Sequence, residues 1–170
     1  INHPQGGIEW LAHRAKHFNA GDAAAMLSCS PHESRNALLK RVYLDMQKDV
    51  SDFVQAKVFD PGHLFERLAR PIAEKVAAED LYPVVGVLDG TLLSASFDGV
   101  PMDESFPWEH KRLNDELRAA FQSIEDGELP RSALPPHHRI QMEHQMIVAD
   151  ADRSLFMASE WTKDGELVEE

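Results

Sequence analysis

Cysteine is nearly missing from this 170-residue chain: Cys29 stands alone. One thiol cannot close an internal disulfide, so a reducing compartment, and with it a cytoplasmic location, is the default expectation. Long apolar runs are lacking as well. No stretch approaches the roughly 20 residues that cross a bilayer as a helix, so no membrane association is expected. The first residues lack the pattern of a secretory signal, although the sequence opens at Ile1 and no targeting argument rests on that end. Internal repeats, low-complexity tracts and Gly/Ser linkers are not found, so residues 1–170 read as a single domain. Positive charge is scarce too: 17 Lys and Arg stand against 29 Asp and Glu, a net charge of -12. That balance excludes diffuse coating of nucleic acid but permits a local basic groove. Acids crowd residues 123–128 and the C-terminal "DGELVEE". Bases gather at Arg14 and Lys16, at Arg35, Lys40 and Arg41, and at Lys111 and Arg112.

What is present suffices for a core, since 43% of the residues are apolar. The first third reads as helical. "GIEWLAHRAKHF" sets Ile8, Leu11, Ala12 and Ala15 on one stripe, and residues 21–46 read as two short helices split at Ser30-Pro31. Residues 61–80 carry Leu64, Phe65, Leu68, Ile72 and Val76 at helical spacing, with Pro71 expected to bend that helix. The pattern then turns β-like. "YPVVGVLDGTLLSASFDGV" reads as a hairpin with Asp89-Gly90 as its two-residue turn, and "FPWEHKRL" as a third strand. "NDELRAAFQSI" is helical, a Pro-rich loop at 130–136 opens a helix over "HHRIQMEHQMIVAD", and "RSLFMASEW" is a fourth strand. This order suits an α/β fold with a mixed central sheet flanked by helices.

One stretch, "SFDGVPMDESFPWEHKRL", concentrates the chemistry. Side chains alternate along a strand, so Glu109 and Lys111 project to one face while Trp108 and His110 project to the other. The carboxylate and the ammonium are then about 7 Å apart by strand rise. Asp98 joins them if its strand lies alongside, and Gly99 is expected to end that strand and leave the acid open to approach. Two such carboxylates are hard ligands for Mg²⁺ or Mn²⁺. A lysine beside them can orient or deprotonate a water and offset charge growing on a phosphate. The plain alternative is a surface strand whose Glu–Lys pair is worth under about 1 kcal/mol. Spacing alone leaves the two readings even.

The same residues resemble the motif of the PD-(D/E)xK nuclease superfamily, with "SFDG" where "PDG" is usual and "EHK" as the E-x-K. The nearer likeness is to the phage lambda-type exonucleases, or YqaJ-type viral recombinases. Their opening Trp-and-Arg helix is resembled by "IEWLAHRAKHFNAGDAA", their Gly-x-x-x-Glu helix by "GHLFERLAR", and their Gln-bearing helix by "RIQMEHQMIV". The likeness implies a restriction-endonuclease-like core. It also implies a metal-dependent deoxyribonuclease, foremost a 5′-to-3′ exonuclease on double-stranded DNA ends in phage-type recombination. Two Mg²⁺ (or Mn²⁺) ions, a single-strand annealing protein as partner and a homo-oligomeric, trimeric ring come with it. Carried over residue by residue, Asp98 and Glu109 are the metal-binding acids, the His110 carbonyl is a further ligand, and Lys111 is the catalytic lysine. Glu66 matches the helical acid serving a second metal or its water, Gln141 a glutamine near the scissile phosphate, and Arg14 an arginine at the DNA 5′ end. Two departures stand out. Phe97 replaces the usual proline, and Gly21 occupies the place of a serine that helps bind the terminal phosphate, leaving backbone N–H groups at a helix start for that task. The alternatives are an endonuclease or single-strand nuclease of the same fold, or a non-catalytic DNA-binding module.

Other polar residues have plainer readings. His137, His138 and His144 show no compact zinc spacing, and the first two read as solvated or DNA-facing. His63, three residues before Glu66, lies on the same helix. Cys29 reads as a small buried residue with nothing nearby to activate it. Gln141 and Gln145 share a helix face, which on its own favours exposure, and Glu66 sits at the edge of its apolar stripe. Asp103 and Glu104 fall in a connecting turn and read as solvated.

Overall fold

Helical sequence gives way to strand and back in the expected order, with two short strands added. The computed structural model describes residues 7–44 and 60–170. Helix α1 (Ile8–Ala15) leads through strand β1 (Phe18–Asn19) into α2 (Ala20–Met26) and α3 (Arg35–Tyr43). The break at Ser30-Pro31 falls between α2 and α3, and Ser34 caps α3 by accepting the Ala37 amide at 3.2 Å. The end of the second expected helix, Asp45 and Met46, lies outside the described residues. Helix α4 (Asp60–Ala77) runs on through Pro71. Strands β2 (Tyr82–Val87), β3 (Leu93–Val100) and β4 (Trp108–Arg112) follow. Then come α5 (Asp115–Glu125), the short α6 (Pro130–Ala133), α7 (Pro136–Ala149), β5 (Leu155–Trp161) and β6 (Leu167–Glu169).

The six strands form one mixed sheet with β3 as its hub. Strand β2 pairs antiparallel along β3 from Ser94 to Val100, while β1 pairs parallel at Leu93 and Ser94. Strand β4 meets β3 antiparallel only at Gly99 and Trp108, then runs parallel to β5, which β6 borders antiparallel. From Gly99 and Trp108 the strands β3 and β4 therefore diverge as a fork. Trp108 is fully buried and packs with Ala69 and Ala73 of α4, Leu81 and Phe106. Helices α2 and α7 cover β2 and β3 through Ala20, Val148, Ala95 and Phe97. Helix α5, with Leu134 and Met142, closes over Ala158 of β5. Alternation along β5 explains the division, since Leu155 and Met157 face α4 while Ala158 faces α5.

Four local expectations need correction. The β2–β3 connection spans residues 88–92 rather than two residues, because Thr91 Oγ1 donates to the Leu88 carbonyl and the Leu93 amide donates back to Oγ1. Gly90 still takes the positive φ, at 73°, that suits glycine at the tip. Gly99 does not end its strand. It is required by packing instead: a Cβ there would lie 2.8 Å from Leu81 Cβ and 3.0 Å from Trp108 Cε3. Helix α1 buries none of its residues, and Ile8 is 87% exposed, because the helix docks through its polar face. Cys29 is exposed, not buried, since it follows the end of α2 in an open turn.

Candidate active site

The fork between β3 and β4 gathers the charged residues. On β3, Ser94, Ser96 and Asp98 recur at every second position and so share a face. Trp10 Nε1 donates to Ser96 Oγ at 3.0 Å, and His13 Nε2 lies 2.9 Å from Ser94 Oγ. Helix α1 thus covers the first two places of that row, and Asp98 continues it at the fork. Where a regular ladder would supply a backbone carbonyl, the Asp98 carboxylate takes over: its Oδ2 accepts the His110 amide at 2.8 Å. Asp98 is thereby anchored to β4 next to Glu109.

Strand alternation in β4 holds as expected. The His110 ring turns away with Trp108 and bonds Ser159 Oγ at 2.7 Å. Burial, and then the charge of Lys111, bring its pKa down to about 4, so the ring is neutral at ordinary pH. Its backbone N–H, not its ring, faces Asp98. Glu109, 2% exposed, is held from three directions. Its Oε1 accepts from Lys111 Nζ and, at 2.6 Å, from Gln141 Nε2, while Oε2 accepts from Gln145 Nε2. Both glutamines come from α7, one turn apart. Exposure, the reading their spacing alone favoured, is wrong for Gln145, which is fully buried because Glu109 provides its partner.

Glu66 approaches from α4 on the other side, buried rather than at a solvated edge. Arg70 Nη2 ties it down, donating to Glu66 Oε1 at 2.9 Å and to the Asp98 carbonyl at 3.1 Å. His63 Nδ1 stands 3.9 Å from Glu66 Oε2. The electrostatics follow from this crowding. Burial, with Glu109 and Glu66 adding repulsion, raises the Asp98 carboxyl well above its ordinary value. Burial alone would lower Lys111, but Glu109, Asp98 and Glu66 together outweigh it and the ammonium is held above its usual range.

Among the described residues, no three His, Cys, Asp or Glu side chains converge tightly enough to hold an ion by themselves. The donor chemistry nevertheless suits a hard divalent cation. Three carboxylates repel one another across the fork, and a cation would relieve that repulsion. An ionised carboxylate has about four lone-pair sites, of which the three donors on Glu109 use three.

Arg14 and Gly21 are also neighbours, since a Cβ on Gly21 would lie 3.7 Å from Arg14 Nη2. The Arg14 guanidinium lies 4.6 Å from the Trp10 ring centroid. Burial lowers its pKa, Asp22 opposes that, and Arg41 adds to it. His137 and His138 are half-buried instead of solvated: their ring centroids lie 4.0 Å apart at a 46° tilt, and His138 packs on Phe156. Asp103 and Glu104 are exposed, as expected. The residues missed from the sequence are Arg70, Gln145, Ser94 and Ser96. Arg70 had a signal, being four residues after Glu66 on one helix.

Comparison with known proteins bears on the fold and the family. A crystal structure of an alkaline exonuclease from Laribacter hongkongensis superposes with a TM-score of 0.68 at 19% identity, covering 95% of this chain and 79% of that one. The two share a fold, and the mixed sheet flanked by helices is the restriction-endonuclease-like core expected. No curated protein matches the sequence. The YqaJ-like viral recombinase domain matches residues 9–152, a span that holds every candidate residue from Arg14 to Gln141. The chain belongs to the family of YqaJ-like viral recombinase domains.

Proposed function

We propose that this chain is a metal-dependent deoxyribonuclease that degrades double-stranded DNA from a 5′ end and leaves a 3′ single strand for recombination. The observation that carries the proposal is the convergence of Asp98, Glu109 and Lys111 at one strand fork, with Glu66 brought in from α4. Family membership supports it, as does the fold shared with an alkaline exonuclease.

In this reading Asp98, Glu109, the His110 carbonyl and Glu66 hold one or two Mg²⁺ or Mn²⁺ ions. When bound, these supply Lewis-acid stabilisation of the phosphate and a more acidic water. Lys111, beside Glu109, orients or deprotonates the attacking water and offsets charge on the phosphate. Gln141 touches Glu109 and reaches the scissile phosphate from α7. Arg14, beside Gly21, receives the terminal phosphate with a fork of donors. A trimeric ring around the duplex would supply processivity without a basic outer surface, and a single-strand annealing protein would take up the product strand.

The test is digestion of linear duplex with labelled 5′ ends in Mg²⁺ or Mn²⁺, beside Lys111→Ala and a closed circle. Metal-dependent loss of the 5′ label, absent from Lys111→Ala and from the circle, is the expected result. No metal-dependent digestion refutes an enzyme, and cleavage of the circle indicates an endonuclease. Sedimentation as a strict monomer would remove the ring.

A further inference from the structure

Helix α7 directs two amides at a single carboxylate, and the two differ in setting. Gln141 is half-buried and donates to the Glu109 oxygen that Lys111 also binds. Gln145 is fully buried and donates to the other oxygen, Oε2. Its own carbonyl oxygen, Oε1, is buried and meets no donor among the described residues. An amide oxygen sealed from water without a donor costs free energy comparable to a lost hydrogen bond. Methionine or leucine at this position would escape that cost, and buried neighbours on the same helix, Met142 and Val148, already make such contacts. Either would, however, leave Glu109 Oε2 without its amide donor, so the unpartnered oxygen is tolerated for the sake of the carboxylate, as at positions kept for function.

We infer that Gln145 is a positioning residue for Glu109, one that fixes the plane of the carboxylate through Oε2. This rests on the reading of Glu109 as a metal-holding acid. The last torsion of a glutamate is broad, so an untethered carboxylate samples many planes. Donors on both oxygens, with Gln145 as the only amide on Oε2 among the described residues, remove that freedom and keep Oε1 toward Lys111. A neutral amide achieves this without adding positive charge. A lysine or arginine there would compete with a cation for the same anion. Partners that orient a ligand in this way typically govern metal affinity or activity by about 10–100-fold.

The experiment uses the full chain with Gln145→Met, and Gln145→Leu as a second variant of different shape. Melting temperature, kcat and KM on linear duplex, and Mn²⁺ binding by calorimetry without DNA are measured for each. The expected result is a folded protein with a modestly lower melting temperature, because the donor lost by Glu109 Oε2 outweighs the unpartnered amide oxygen removed, with KM for DNA within about twofold. Mn²⁺ affinity or kcat should fall by about 10-fold or more. A purely structural glutamine would not move metal affinity in a folded variant. Wild-type-like Mn²⁺ binding and kcat in either folded variant overturns the inference. So does failure of both variants to fold, which would make Gln145 structural. If the wild type neither digests DNA nor binds Mn²⁺, the functional reading itself has failed. If the wild type does both and the variants match it, only the role of Gln145 falls.

Discussion

Replacing Glu109 by glutamine removes one charge and almost no volume, so its effect isolates electrostatics. Glu109 is the acceptor for Lys111, Gln141 and Gln145. A glutamine has one oxygen and one NH₂, and whichever way it lies, its NH₂ faces a donor. If the NH₂ takes the Oε2 place, Gln145 can rotate its amide and offer the oxygen that now lacks a partner. That conflict is therefore resolved locally. The loss that remains is the countercharge of Lys111. Breaking a fully buried ion pair costs about 3–5 kcal/mol. Here the lysine side chain is 29% exposed and still feels Asp98 and Glu66, so the cost should be nearer that of one charged hydrogen bond, about 1–3 kcal/mol. For a chain of this length that is a fall of roughly 2–12 °C in melting temperature. Activity should suffer more, by about 100- to 1000-fold in kcat, the usual cost of removing one electrostatic group from a site. Thermal melting and single-turnover digestion of linear duplex give the two numbers. Digestion within about threefold of wild type by a folded Glu109→Gln protein would refute the assignment of Glu109. Unfolding at room temperature would refute the argument that the site can rearrange.

Gly99→Ala forces a methyl group against Leu81 and Trp108, so a loss of about 1–3 kcal/mol in denaturant unfolding is expected, with lower activity because Asp98 is adjacent. Arg70→Met keeps the stem but removes the single Nη2 group that joins Glu66 to the Asp98 carbonyl. Metal-dependent digestion should fall about 10-fold or more while circular dichroism is unchanged. His138 has a folded pKa of about 3 against 6.5 when free, set by burial first and then by the charges of His137 and Lys111. The fold therefore excludes a proton that the unfolded chain binds. The resulting stability is complete above about pH 6.5 and is lost as pH falls toward 3, so His138→Phe should move the acid-unfolding midpoint downward. Mn²⁺ at about 100 times its dissociation constant should stabilise the wild type by about 2.7 kcal/mol, and EDTA or Asp98→Asn should abolish the gain in a thermal-shift assay.

The order of elements was legible because each long element carried its own period, and the Asp98, Glu109 and Lys111 set followed from a motif held within one strand pair. What was not legible depended on partners distant in sequence. Strands β1 and β6 have two and three residues, too few for any period to register. The apolar stripe of α1 suggested the wrong docking face, because Ser94 and Ser96 offered Trp10 and His13 hydrogen bonds that no count of hydrophobic residues reveals. Gln145 looked like a surface amide until Glu109, 36 residues away, supplied its partner. Gly99 was rightly singled out as special but for the wrong cause, since a glycine needed for close packing and one needed for a turn look alike in sequence.

The acidic balance of the chain also acquires a structural meaning. Arg41 is engaged by Asp22 and Glu33, Arg70 by Glu66, and Arg118 by Asp115, Glu160 and Glu169. These arginines join elements of the fold, so the 17 bases overstate the charge free to meet a phosphate backbone. Weak general attraction suits the proposed action at DNA ends, because strong binding along the duplex would compete with binding at the terminus. Lys111, by contrast, stands among the acids of the fork, and Arg14 lies beside Gly21.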